Sequence, residues 1–127
     1  MTQDSNSINW FEIPVIDLQR AKHFYQVAFS IHMEELEMNG LVMANFPYTR
    51  GSSLVSGALI QDKQHRPSQD GVLVYLNAEP SITDVIDRVH AEGGQIILPR
   101  TMISPEIGYM AIVTDSEGNR IGLHATE

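Results

Sequence analysis

The chain contains no cysteine. Disulfides, thiolate nucleophiles and cysteine-ligated zinc are therefore excluded. Basic residues are also scarce: eight Lys and Arg stand against sixteen Asp and Glu, a formal net charge of -8. Nucleic-acid phosphates and anionic membrane surfaces both call for a basic patch, so neither is an expected partner. No apolar run approaches the roughly 20 residues of a membrane-spanning helix. The opening "MTQDSNSIN" is polar and lacks the apolar stretch of a secretory signal, which leads us to expect a cytoplasmic location.

What is present fits one compact domain: 127 residues, 43% of them apolar, enough to build a core. "INWFEIPV" is aromatic and β-branched and reads as a strand. Asp17 then offers an N-cap for "LQRAKHFYQVAF", in which Leu18, Ala21, Phe24, Tyr25 and Ala28 recur at helical spacing. Three strand-like runs follow, near residues 31–38, 41–46 and 53–60, with the turn-forming pair Asn39–Gly40 between the first two. The polar stretch "QDKQHRPSQDG" reads as a linker. The order then restarts. "VLVYLNA" is a strand, and "SITDVIDRVHAEGG" is a helix capped by Ser81 and ended by Gly93–Gly94. Strands are expected near 95–98, 109–114 and 120–124, the last preceded by the turn "DSEGN".

The pattern βαβββ thus occurs twice, in modules of about 8–60 and 71–125 joined by a linker of about 61–70, within a single domain spanning 1–127. The expected fold is α+β: two βαβββ modules forming an open barrel or cup, with the helices outside.

The segments "FEIPVIDLQRAKHFY", "AEGGQIILPR" and "GYMAIVTDSEGNRIGLH" resemble the vicinal oxygen chelate superfamily, which includes glyoxalases, bleomycin-resistance proteins and extradiol dioxygenases. The resemblance covers nearly the whole chain. It implies the same paired-module fold, but one fold hosts unrelated chemistries. In metal-dependent members, a His or Gln on each module's first strand and a Glu on each last strand converge on a divalent ion. The matching positions here are Trp10, Leu73 and Gly122, with small or apolar residues around Val55–Ala58. The cofactor is thus unknown: a divalent metal stays open, but its usual ligands are missing.

Strand alternation sends Trp10, Glu12 and Pro14 to one face, opposite Phe11, Ile13 and Val15. By the same rule Leu73, Tyr75 and Asn77 share a face, as do Gly122 and His124. Glu12 is the most informative residue, because a carboxylate amid apolar neighbours costs desolvation unless paired or used. We take Glu12, Tyr75 and His124 as candidate catalytic residues. Trp10, Leu73, Asn77 and Gly122 are candidate binding residues. Bland alternatives stand beside these: Glu12 as a structural carboxylate, His124 as a half-exposed strand residue, Tyr75 as packing, Gly122 as relief of crowding. His65 reads as linker and "MEELEM" as a solvated acidic edge. Two functions remain open. One is a lyase or isomerase acting on a small organic molecule in the cup, with Glu12 moving a proton. The other is a non-catalytic, drug-sequestering binding protein. A homodimer is expected from the way family members pair modules within or between chains.

Overall fold

A computed structural model describes all 127 residues. The elements are β1 (Trp10–Pro14), α1 (Leu18–Phe29), β2 (Glu34–Met38), β3 (Leu41–Asn45), β4 (Ser56–Ile60), β5 (Tyr75–Asn77), α2 (Ile82–Ala91), β6 (Ile96–Ser104), β7 (Gly108–Thr114) and β8 (Arg120–Ala125). They form two four-stranded sheets, ordered β1-β4-β3-β2 and β5-β8-β7-β6. In each, the first strand runs parallel to the last and the remaining pairs are antiparallel. This is the expected α+β arrangement of two βαβββ modules, each an open sheet with its helix on one face, and no barrel closes.

Local chemistry accounts for the boundaries. Asp17 accepts a hydrogen bond from the Arg20 N–H (3.1 Å) and starts α1, which ends where Ser30 turns left-handed. Ser81 does the same for α2 through the Asp84 N–H (3.3 Å). Asn39 and Gly40 both have positive φ, so β2 and β3 join in a tight hairpin that pairs Met38 with Leu41. Every residue of β2 is exposed at the sheet edge, as its acidic sequence implies.

β2 and β4 each begin three residues later than expected, and two further strands differ. β5 spans only three residues, leaving Leu73 outside it. β6 runs past Leu98 to Ser104 through Pro99. It is an edge strand with register shifts against β7, and both conditions accommodate a proline that lacks an N–H.

The helix-bearing faces of both sheets feed one core of 21 buried residues, including Ile13, Val15, Phe24 and Leu59 from the first module and Leu76, Val89, Val113 and Leu123 from the second. The helices pack together, and Arg88 Nε donates to the Ala28 carbonyl (2.9 Å).

The "DSEGN" turn locks the second module onto the start of α1. Glu117 Oε1 accepts from the N–H groups of Ile16 (2.9 Å) and Asp17 (2.8 Å), while its carboxylate takes a two-pronged contact from Arg20 (2.7 and 2.9 Å). Asn119 Nδ2 donates to the Pro14 carbonyl (2.7 Å). Buried Tyr25 donates its hydroxyl to Asp115 Oδ2 (2.7 Å). Burial pushes the Tyr25 hydroxyl well above its ordinary pKa, and the adjacent Asp115 carboxylate pushes it further. Burial also pushes the Glu117 carboxyl up, but hydrogen bonds from Arg20, the Asp17 N–H, Ser116 and the Ile16 N–H outweigh it, and the group sits at about 2.

Candidate functional site

The helix-bearing faces share one core, so a ligand is offered the opposite, open faces and the cavities at the seam between the modules. On the first sheet the register aligns Trp10 with Ser56, Glu12 with Ala58 and Pro14 with Ile60. It continues across β3 and β2, so that Glu12, Ala58, Asn45 and Glu34 form one row across all four strands. Met43, Ala58 and Ile60 make a small apolar cluster there, separate from the main core. Trp10 is 40% exposed and meets Tyr48 edge-on, with ring centroids 6.1 Å apart.

The second open face carries Tyr75, Asn77, Gly122 and His124. Tyr75 lies opposite Gly122, and Asn77 opposite His124. A Cβ at Gly122 would meet the Tyr75 ring at 2.6 Å, so the absent side chain makes room for that ring. Tyr75 is 48% exposed, and its hydroxyl makes only a long contact to Met110 Sδ (3.9 Å). His124 lies on an interior strand of the sheet, with Nε2 2.8 Å from the Ile107 carbonyl. That contact makes Nε2 the protonated nitrogen and leaves Nδ1 free.

Within one chain the two sets are not brought together. Glu12 borders a cavity of about 360 Å³ with Arg66, Ser68, Asp70 and Arg120. Tyr75 and Asn77 border a different one of about 530 Å³, lined mainly by apolar residues such as Phe11, Phe29 and Phe46. No hydrogen bond or ion pair links Glu12 to Tyr75, Asn77 or His124, and β1 does not pair with β5.

Glu12 instead meets a residue that sequence reading set aside. His65 places Nε2 3.7 Å from Glu12 Oε1 and Nδ1 3.2 Å from Asp62 Oδ2. A small turn, closed by the His65 N–H on the Asp62 carbonyl (3.2 Å), holds this geometry. Asp62 accepts, so Nδ1 carries the proton and Nε2 points at Glu12. The one sequence signal was the Asp-x-x-His spacing in "QDKQHRP"; contact with Glu12 is a tertiary fact that spacing does not encode.

The donor set also bears on a metal. At the open-face positions of β1, β4, β5 and β8 stand Trp10, Glu12, Pro14, Ser56, Ala58, Ile60, Tyr75, Asn77, Arg120, Gly122 and His124, with one carboxylate and one imidazole among them. No group of three or more His, Asp or Glu side chains, Asp62–His65–Glu12 included, is arranged to hold a metal ion. Zinc sites take at least three protein donors, and the family pattern calls for four, so these residues do not fit the ion of the metal-dependent relatives. No helix is long and apolar enough to cross a membrane.

Comparison with curated protein sequences finds no match. Solved structures share the fold at low identity. The lactoylglutathione lyase of Agrobacterium tumefaciens is 15% identical with a TM-score of 0.64, covering 97% of this chain and 96% of that one. TnmS3, an antibiotic-binding protein from Streptomyces sp. CB03234, is 18% identical with a TM-score of 0.62, covering 99% and 100%. A glyoxalase/bleomycin resistance protein from Albidiferax ferrireducens T118 is 18% identical with a TM-score of 0.64, covering 93% and 98%. The sequence pattern of one family matches residues 7–123. With that span matched and the paired βαβββ modules in place, the chain belongs to the Glyoxalase/Bleomycin resistance protein/Dioxygenase superfamily.

Proposed function

We propose that this protein binds a small organic molecule on its open sheet faces, without a metal at the family's usual ligand positions. The observation that carries the reading is the make-up of those faces. Half-exposed Trp10, Leu36, Met38 and Tyr75 lie beside a few polar groups, Glu12, Asn77 and His124, as in an apolar ligand site with orienting contacts. Because one chain keeps its two open faces apart, we place the complete site between two copies, the first sheet of one facing the second sheet of the other. The antibiotic-binding relative supports the binding of a small molecule by this fold. The partners in this proposal are a second copy and a small molecule in the cytoplasm; the charge of -8 disfavours nucleic acid.

A second reading, a lyase or isomerase, is favoured by the Asp62–His65–Glu12 arrangement. Glu12 would take a proton from the substrate, and His65, held by Asp62, would relay it. The lactoylglutathione lyase among the structural neighbours keeps this reading in view.

A thermal-shift screen of small organic molecules, run in EDTA, tests the first reading. We expect a set of related compounds to raise the melting temperature with metal absent. Stabilisation by a divalent ion alone, with no organic compound effective, would overturn it. Isotope exchange or turnover of a stabilising compound, lost in both Glu12→Gln and His65→Gln, would move the assignment to the enzyme.

A further inference from the structure

We propose that the larger cavity at the seam between the two modules binds a flat, uncharged aromatic molecule carrying one hydrogen-bond acceptor. This is a second site, and it does not depend on the open-face reading.

β1 and β5 are edge strands of their sheets and do not pair with each other, so side chains alone fill the seam. They leave a cavity of about 530 Å³. Small-molecule pockets span roughly 300–1,000 Å³. Phe11, Phe29, Ile31 and Phe46 line the cavity from the first module, Val74 and Leu76 from the second. Phe11, Phe29, Ile31 and Val74 pack on the main core yet stay only partly buried. The wall is fixed in place. Phe11 lies on Gly57, where a Cβ would come within 2.6 Å of its ring. Phe46 meets both Phe11 and buried Tyr25 with ring centroids 5.4 Å apart, and Phe29 stacks on Tyr25 at 6.0 Å. Rings held this way form an apolar slot before any ligand arrives, so binding costs little ordering.

The polar groups on the wall decide what else the molecule carries. Ser56 Oγ donates to the carbonyls of Phe46 and Pro47 (3.2 Å each). Both carboxylate oxygens of Glu79 accept from Thr126, one from its N–H (2.7 Å) and one from its hydroxyl (3.1 Å). Asn77 Oδ1 accepts from the Glu79 N–H (2.9 Å), which fixes the amide and leaves Nδ2 as a donor without a partner in the chain. A neutral acceptor on the ligand meets that donor. A carboxylate would face Glu79, the one charged side chain lining the cavity. An ammonium would give up its water among phenyl rings, with the Glu79 oxygens already engaged.

The probes are coumarin, naphthalene, coumarin-3-carboxylate and 2-naphthylmethylammonium, titrated into protein with ¹³C-labelled methyl groups and a ¹⁵N-labelled Trp10. Coumarin should shift the methyl signals of Ile31, Val74 and Leu76, leave the Trp10 indole N–H unmoved, and bind about tenfold more tightly than either charged probe. Val74→Trp fills the cavity; it should melt at the same temperature or higher and weaken coumarin about tenfold. Ile31→Trp fills the same space from the other module and serves where Val74→Trp fails to fold. Asn77→Asp keeps an acceptor for the Glu79 N–H and removes the donor. It should weaken coumarin about fivefold and naphthalene by less than about twofold. Tighter binding of a charged probe, or coumarin binding unchanged in the filled variants, would overturn the proposal. Coumarin shifts confined to Trp10 and the first open face would overturn the seam site and leave the open-face reading standing. Methyl shifts that follow protein concentration instead of probe concentration would assign the seam to contact between copies. Absence of coumarin shifts at Ile31 and Val74 would overturn the seam site, while the Trp10 signal judges the open-face reading separately.

Discussion

Glu117 ties residues 100 positions apart, and its removal has a worked magnitude. Its carboxylate is fully shielded and accepts from Ile16, Asp17, Arg20 and Ser116. The fall from 4.5 to about 2 would correspond to roughly 3 kcal/mol at about 1.36 kcal/mol per unit. Arg20 is half exposed, so solvent screens part of this, and about 1.5–2.5 kcal/mol is the working figure. The sign follows from the direction of the shift. A carboxyl depressed in the folded state stabilises fully above its unfolded pKa near 4.5, and that stability is lost as pH falls through about 2. Glu117→Gln should therefore cost about 1.5–2.5 kcal/mol at pH 7, or roughly 5–10 °C in melting temperature. The gap between variant and parent should close between about pH 5 and pH 2. Urea melts of both proteins across that range measure it. A gap under about 0.5 kcal/mol at pH 7, or one that stays constant to pH 2, would show that the Glu117 charge does not tie the modules.

Other expectations follow from the same geometry. Glu12→Gln should change stability by no more than about 0.5 kcal/mol in urea melts, since Glu12 is exposed and its one recorded partner lies at 3.7 Å, yet it should abolish response to ligand. Gly57→Ala should cost more than Gly122→Ala, about 2–4 against about 0.5–2 kcal/mol, as judged by the same melts. A Cβ at Gly57 strikes the Phe11 backbone as well as its ring, whereas one at Gly122 meets only the half-exposed ring of Tyr75. Light scattering at micromolar concentration should give twice 14.2 kDa; a monomer would count against a site shared between copies.

The parts of this fold written in local pattern were legible. The alternation of "NWFEIPV" placed Ile13 and Val15 in the core, and the 3.6-residue spacing from Leu18 to Ala28 marked the buried face of α1. Asn39–Gly40 named its hairpin. What was not legible depends on long-range contact. The strand expected to stop at Leu98 runs on through Pro99, and only the assembled sheet shows that β6 lies at an edge, where a proline fits. "DSEGN" read as a turn; nothing local says that Glu117 accepts from Ile16 and Asp17. Linker chemistry hid His65, and the seam cavity exists only once both modules are packed together. Sequence grouped Glu12 with Tyr75, Asn77 and His124 in one pocket. Facing alone carried that grouping, and facing does not say whether two sheets of one chain meet.

Trp10 reports directly on binding at the open face, because it is the only tryptophan and it stands there. Compounds that stabilise the protein in EDTA are titrated while its emission is followed, with calorimetry in parallel. A saturable change in Trp10 emission is expected at the concentration where calorimetry reports binding. Trp10 emission unmoved by every stabilising compound, or binding that vanishes when divalent ions are chelated, would contradict a metal-free site on the open face.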